Sequence, residues 1–269
     1  MDHNTFVALF GSPGAVGGVY SDQYQTLYDA LATKPSDEIA SAQDTFVSAI
    51  VDGGVWVKLD ALWVFAQTTS AGALKNWVTP GTHDCSLVNA PAFTALEGFA
   101  GNGTTSYINS NFSPSVDGVN YTQNSASYGL YSRTDANISK TDMGCEGAGG
   151  DNYIRARLSG NINWRVNSGA TSTQAIADSL GMYIASRPDS ANQNLYKNKT
   201  EYTAAVAAGS LVSEDFFIGA QNASGSPSLL STRQISMAFV GAALTQSDVN
   251  ILTDAFEVYM DSNNKGVIT

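Results

Sequence analysis

Tyr153-Ile-Arg-Ala-Arg-Leu158 and Ile162-Asn-Trp-Arg-Val166 decide the fold of this chain. In both stretches apolar and polar residues alternate without an error, the period-two signature of a strand with one buried and one wet face. The same texture runs from about residue 84 onwards. Gly101-Asn-Gly103 reads as a tight turn feeding a strand over 105–108, and further strands are predicted over 125–134, 179–187, 193–197, 215–220 and 234–240. Many short strands separated by turns indicate a β-sandwich or jelly roll.

Upstream the period changes. A helix is predicted over 22–33, with Ser21 as cap and Tyr24, Leu27, Tyr28 and Leu31 on one face. Lys34-Pro35 stops it, and Ser36 opens a second helix whose stripe is Ile39, Ala42, Phe46 and Ile50, closed by Gly53-Gly54. Too short to be stable alone, the two should form a small pedestal over 21–60. Leu62 to Ala66 is an apolar run suited to a strand buried on both sides, and a short helix is expected within 68–80. A last helix, about 246–261, carries Val249, Leu252, Phe256 and Tyr259 or Met260 on one face, with Thr245 as its cap. Residues 1–20 read as an arm and 61–269 as the sandwich.

Bulk composition restricts the function. The 269 residues carry only 14% charged side chains, against about 25% in ordinary soluble domains. Ser, Thr, Asn and 25 glycines replace them, which suits turns and a hydroxyl-rich or assembly-covered surface. A net charge of −11 repels phosphate backbones and anionic membranes, so neither nucleic acid nor membrane insertion is expected. No apolar run approaches the ~20 residues of a bilayer span, and no secretory signal is seen. Folding in a cytoplasm is the expectation, with Cys85 and Cys145 as buried free thiols. The apolar residues Phe6, Val7, Leu9 and Phe10 precede a Gly/Pro hinge and have no obvious internal mate, so they are expected to contact a neighbouring subunit.

The arginines are unevenly placed. Four of six (Arg155, Arg157, Arg165, Arg187) fall within 33 residues of an acidic chain. Alternation sets Tyr153, Arg155 and Arg157 opposite Ile154, Ala156 and Leu158, and Asn163 and Arg165 opposite Ile162, Trp164 and Val166. It likewise sets Tyr183 and Arg187 opposite Met182 and Ile184. If these strands are neighbours, one sheet presents a solvent-side face of Tyr, Asn and Arg. Such a face suits glycan hydroxyls, acidic sugars or a protein neighbour. A polar outer face paired with nearby carboxylates is the plainer reading, and all three stay open.

Catalysis finds little footing. A glucanase of this kind of sandwich needs acids on one strand face, and Glu214-Asp215 point to opposite faces. His3 and His83 lie near no nucleophile elbow. Gly147-Ala-Gly-Gly150 has no following Lys and reads as a turn. No enzyme activity is expected.

Four stretches together resemble a phage and prophage family of concanavalin-A-like, laminin-G-like domains. They are Gly54-Val-Trp-Val-Lys-Leu-Asp60 running into Ala61-Leu-Trp-Val-Phe-Ala66; Ala73-Leu-Lys-Asn-Trp77 with Pro80-Gly81; Gly98-Phe-Ala-Gly-Asn-Gly-Thr-Thr-Ser-Tyr-Ile-Asn109; and Phe217-Ile-Gly-Ala220 followed by Ile235-Ser-Met-Ala-Phe-Val-Gly-Ala-Ala-Leu-Thr245 and the closing helix. The resemblance covers roughly residues 20–262. It implies a mainly β chain, a concanavalin-A-like jelly-roll sandwich with an N-terminal helical pedestal and a C-terminal helix. It also implies a virion structural protein of a bacteriophage: a fibre, decoration or tail appendage subunit, assembled in the host cytoplasm, homo-oligomeric and bound to other virion proteins. The alternative is an adhesin for host-surface polysaccharide, with a glycan hydrolase a distant third. No cofactor is expected. Related sandwiches bind calcium through loop oxygens, which points to Asp135, Asn137 and Asp142, although a solvated polar loop is the preferred account of these three.

Overall fold

The computed structural model describes residues 20–268. α1 (Asp22–Ala30) buries Tyr24 and Leu27, and α2 (Asp37–Asp52) buries Ala40, Gln43, Phe46, Val47 and Ile50. The stripe on α2 is rotated from the expected one, leaving Ile39 and Ala42 half-buried. Gln43 is drawn inside because it finds partners there: it accepts from the Tyr24 hydroxyl at 2.8 Å and donates to Gln67 Oε1 at 3.0 Å. Neither Ser21 nor Ser36 caps its helix through its side chain. The Ser21 hydroxyl donates to Asp44 Oδ1 instead and ties α1 to α2.

A 3-10 turn, Trp56–Lys58, leads into β1 (Leu59–Val64). The helix expected within 68–80 contracts to one turn, α3 (Ser70–Ala73). Then come β2 (Ser86–Val88), β3 (Ala92–Thr94), β4 (Gly98–Ala100), β5 (Tyr107–Asn109), the turn α4 (Pro114–Asp117), β6 (Ala126–Ser132), β7 (Met143–Glu146), β8 (Asp151–Leu158) and β9 (Asn161–Ser168). They are followed by β10 (Ser172–Ala175), β11 (Gly181–Arg187), β12 (Asn192–Lys197), β13 (Thr200–Ala205), β14 (Phe217–Ile218), β15 (Gln221–Ala223), β16 (Ser226–Ser228), β17 (Gln234–Gly241) and α5 (Gln246–Ser262).

Among the described residues the strands form two sheets. The first runs β13-β12-β11-β6-β17-β4-β3, with β1 also on β17. The second runs β10-β9-β8-β7-β14-β5-β2, with the β15–β16 hairpin attached beside β7. Pairing is antiparallel apart from β15 on β7. The close approach of β4 to β17 depends on Gly98, whose φ is +108° and where a Cβ would lie 2.0 Å from the Ile235 carbonyl oxygen.

Two apolar clusters organise three layers. Between the sheets lie Trp63, Tyr128, Leu130, Ile154, Ala156, Ile162, Trp164, Val166 and Tyr183. On the other side of the first sheet Tyr131, Met182, Ile184, Met237 and Phe239 meet Phe46, Leu252, Phe256, Tyr259 and Met260 of α2 and α5. Helices from both ends of the described chain therefore cover one sheet. Among the described residues no helix lies over the outer face of the second sheet, to which β8 and β9 belong. α5 starts as expected: Thr245 and Asp248 form a reciprocal capping box.

Candidate functional site

β8 and β9 pair in the register Tyr153↔Arg165 and Arg155↔Asn163. Because Ile154, Ala156, Ile162, Trp164 and Val166 fill the inter-sheet core, the residues between them face outwards. Tyr153, Arg155, Asn163 and Arg165 of the expected set are thus brought together on one face, and a bulge between Arg155 and Leu158 breaks the register at the fifth, Arg157.

Its geometry is that of a stacked array. The Arg155 guanidinium carbon lies 4.1 Å from the centroid of the Tyr153 ring and that of Arg165 lies 5.2 Å from it. The ring is only 4% exposed as a result, so the guanidinium groups, not the ring, meet solvent. The Tyr153 hydroxyl is 2.5 Å from Thr171 Oγ1, which also accepts from Arg165 Nε at 3.0 Å. Arg165 pairs with Asp151, and Arg157 with Asp135 at 3.2 Å. Asn163 Oδ1 accepts from the Thr173 hydroxyl at 2.7 Å.

Arg155 differs from its neighbours. Its Nε donates to Thr141 Oγ1 at 3.2 Å, and among the described residues no carboxylate pairs with it. Tyr153 and Thr141 hold the guanidinium while its terminal nitrogens have no acceptor among the described residues. A flat, held fork of donors is what a carboxylate or sulfate ester takes with two parallel hydrogen bonds. Beside it the neighbouring strand presents Gly144, opposite Tyr153. A Cβ there would lie 2.9 Å from Tyr153 Cβ, so Gly144 leaves room for the ring. Thr141, Gly144 and Thr171 escaped the reading of the sequence because they come from loops and a neighbouring strand, and Asp151 because it opens β8 just before the alternating run.

Two of the expected residues do not belong to this face. β11 lies in the first sheet between β6 and β12, and both of its faces are covered. Tyr183 points between the sheets. Arg187 is fully buried, with Nε donating to the Val166 carbonyl at 2.7 Å and Nη1 to the carbonyls of Asp189, Asn192 and Val206. It ties the end of β9 to two loops, and burial lowers its pKa from the ordinary value.

The calcium ligands considered from the sequence do not converge either. Asp142 is fully buried and takes two bonds from Arg233 Nη1, both 2.9 Å, plus the Ala156 amide and the Ser231 hydroxyl, each at 2.7 Å. Asp135 binds the Ser179 amide, and Asn137 the Gly160 amide. The positive charge that Asp142 needs is supplied by a guanidinium. Among the described residues no three His, Cys, Asp or Glu side chains gather as a metal site would require. Cys85 and Cys145 are free and buried, and burial raises both thiols well above their ordinary pKa. The apolar contact residues Phe6, Val7, Leu9 and Phe10 lie outside the described residues.

No protein-family model matches the sequence, and no curated protein matches it. Solved structures do share the sandwich. Domain 4 of AbnA, a GH43 extracellular arabinanase from Geobacillus stearothermophilus, solved with arabinotriose, superposes with a TM-score of 0.53 at 16% identity, covering 73% of this chain and 98% of that domain. Trypanosoma rangeli sialidase in complex with sialic acid gives 0.52 at 13% identity, over 77% of this chain and 33% of the sialidase. The binding domain of botulinum neurotoxin DC in complex with SialylT gives 0.52 at 12% identity, over 73% of this chain and 51% of that one. The shared architecture is a two-sheet β-sandwich. At such identities the likeness establishes the fold alone.

Proposed function

We propose that this chain is a non-enzymatic sandwich that recognises anionic glycans, carried as an appendage or decoration subunit of a bacteriophage particle and exposed at its surface. The observation that carries the glycan reading is Arg155, a guanidinium stacked on Tyr153, bonded to Thr141 and paired with no carboxylate on an uncovered sheet face. Sugars with carboxylate or sulfate groups supply the planar or tetrahedral oxygens such a fork takes. Asn163 and the Thr173 hydroxyl beside it suit the ring hydroxyls of the same residue. That sandwiches of this architecture were solved with arabinotriose, sialic acid and SialylT adds support for carbohydrate as the ligand class.

Binding rather than hydrolysis is favoured by the carboxylates near this face. Asp151 and Asp135 are each held by an arginine and Asp142 is buried with Arg233. None is placed as one of a free acid–base pair. The phage setting is supported by the sequence resemblance, and by an apolar stretch at Phe6–Phe10 suited to docking on a neighbour.

A glycan array of acidic and neutral oligosaccharides tests the binding. Acidic glycans should bind the wild-type chain, and Arg155→Ala should weaken that binding about ten- to a hundredfold, the size of a charge-assisted bidentate contact. Arg155→Lys should restore little of it, because an ammonium lacks the fork. An array blank for acidic glycans, or hits indifferent to Arg155, would refute the reading. Mass spectrometry of purified particles tests the setting, with this chain expected at stoichiometric copy number.

A further inference from the structure

We infer that the molecule carries a second sugar subsite, for a neutral pyranose residue, in the cleft at the corner where the edges β10 and β13 of the two sheets come together. The inference rests on the reading of the chain as a glycan binder, and it uses a different set of residues. The cleft has a volume of about 340 Å³ and is lined by Ile176, Asp178, Lys197, Asn198, Thr200 and Tyr202 among others. That is at the small end of the about 300–1,000 Å³ of ligand sites, enough for one or two sugar rings.

The local sequence builds it. β12 and β13 are joined through Asn198-Lys199, both with positive φ, +46° and +76°, as a two-residue hairpin turn of the primed type requires. The turn brings Asn198 back over the first residue of β11. Its Oδ1 accepts from the Met182 amide at 2.8 Å, and this fit needs Gly181, since a Cβ there would lie 2.1 Å from that oxygen. With Oδ1 fixed in this way the Nδ2 group makes no hydrogen bond within the described protein, so a pair of donors is left over. Across the cleft Asp178 Oδ1 accepts from Lys197 Nζ at 2.7 Å and from the Leu180 amide at 2.9 Å, while Oδ2 has no donor among the described residues. The hydroxyls of Thr200 and Tyr202 are likewise without partners among the described residues, and the Tyr202 ring and Ile176 rest half-buried against the inter-sheet core.

This set selects its ligand. A carboxylate oxygen and an amide NH₂, both oriented by bonds made through their other atom, address adjacent hydroxyls as acceptor and donor. The aromatic ring and the isoleucine offer an apolar surface for the C–H face of the sugar. Charge decides between neutral and ionic ligands. Burial pushes the Asp178 carboxyl up, but the bonds from Lys197 and Leu180 and the charges of Lys197 and Arg157 bring it below its ordinary value overall. It is therefore ionised at neutral pH, and Lys197, itself 9% exposed, cancels it. An anion would meet the open Asp178 oxygen, and a cation would compete with Lys197. A neutral polyol meets neither cost. The two subsites lie at the same end of the molecule: Asp135 accepts from Arg157 on the outer sheet face and from the amide of Ser179, next to Asp178. One oligosaccharide with an acidic and a neutral residue can therefore be considered for both.

Saturation-transfer NMR on the full chain with methyl α-mannopyranoside, methyl β-galactopyranoside and methyl β-glucopyranoside tests the cleft without any acidic sugar. At least one glycoside should receive saturation from the wild type. Asp178→Asn should weaken its binding about tenfold or more. Ala177→Trp keeps every polar group and fills the cleft with an indole, and it should abolish the signal. Arg155→Ala should leave it unchanged, and Ala177→Trp should keep the acidic hits of the array. No transfer to any of the three from the wild type, or transfer indifferent to both cleft variants, would sink the proposal whether or not Arg155 binds acidic glycans. Transfer lost in Arg155→Ala would also overturn it, by showing that the sugars sit on the outer face.

Discussion

Arg233 and Asp142 show what one residue pair does for this architecture. Asp142 immediately precedes β7 of the second sheet and Arg233 immediately precedes β17 of the first, so the pair links the two layers, with both side chains fully buried. Arg233 Nη2 also donates to the carbonyls of Ala136 and Arg157, holding the loop that leads to β7 against the end of β8. A buried pair adds little over an apolar replacement, but removing one partner strands the other charge. Arg233→Met is therefore expected to lower stability by about 3–5 kcal/mol in urea unfolding. Combining it with Asp142→Leu should recover most of that loss. Equal destabilisation by the double variant would mean that packing, not the charge, is what Arg233 contributes.

At the scale of elements, α5 is positioned by its first turn. Asp248 Oδ2 accepts from the Thr245 amide at 2.8 Å, the Thr245 hydroxyl at 2.7 Å and Lys58 Nζ at 2.6 Å, so one carboxylate caps the helix and fastens it to the turn before β1. Burial pushes this carboxyl up. The Lys58 and Thr245 bonds and the Lys58 charge outweigh it and hold the group below its ordinary value of 3.8. A carboxyl with a lowered folded pKa contributes stability in full above its unfolded value, and that contribution disappears as pH falls through the folded value. Thermal unfolding should therefore find the wild type above Asp248→Asn by about 1–2 kcal/mol at neutral pH. The gap should close in acid, as the pH falls below the ordinary value of 3.8 and through the lowered folded value. A gap that persisted in acid would assign the effect to shape rather than charge. The same helix carries Phe256 and Tyr259 to Phe46 of α2, with ring centroids 5.5 and 6.3 Å apart, so the two chain ends share one apolar seam.

The described residues form three layers, helices, first sheet and second sheet, and among them no helix covers the outer side of the second sheet. Under the proposed function that sheet face would serve recognition and the helical side attachment. Tyr20 packs edge-on against Tyr24 and tilted against Tyr28, with ring centroids 5.0 and 5.1 Å apart. Deleting residues 1–19 should leave the melting temperature within about 2 °C, because the two sheets and three long helices all lie within residues 20–268. By contrast it should reduce the sedimentation coefficient to that of a monomer and prevent incorporation into particles. A truncated chain that fails to fold, or assembles as before, would make the arm part of the domain.

The sequence by itself determined the class of fold and most of the exposed array. Period two is a local property of the backbone, so it told correctly that Tyr153, Arg155, Asn163 and Arg165 share a face, and it missed the bulge between Arg155 and Leu158 at which Arg157 sits. It also placed the three long helices, because helical period and breakers are local, although the Ser21 and Ser36 side chains do not cap and the α2 stripe is rotated by the buried Gln43. What alternation does not carry is which sheet a strand joins and what lies over it. Helices from residues 22–52 and 246–262 cover the Met182 and Ile184 face of β11, so its other face, with Tyr183 and Arg187, turns towards the second sheet and is interior. Only the tertiary structure set Arg155 apart from its neighbours, since its lack of a carboxylate depends on where Asp135 and Asp151 come to rest. It alone brought Asp178, Asn198 and Tyr202 around one cleft, because two sheet edges distant in sequence meet there.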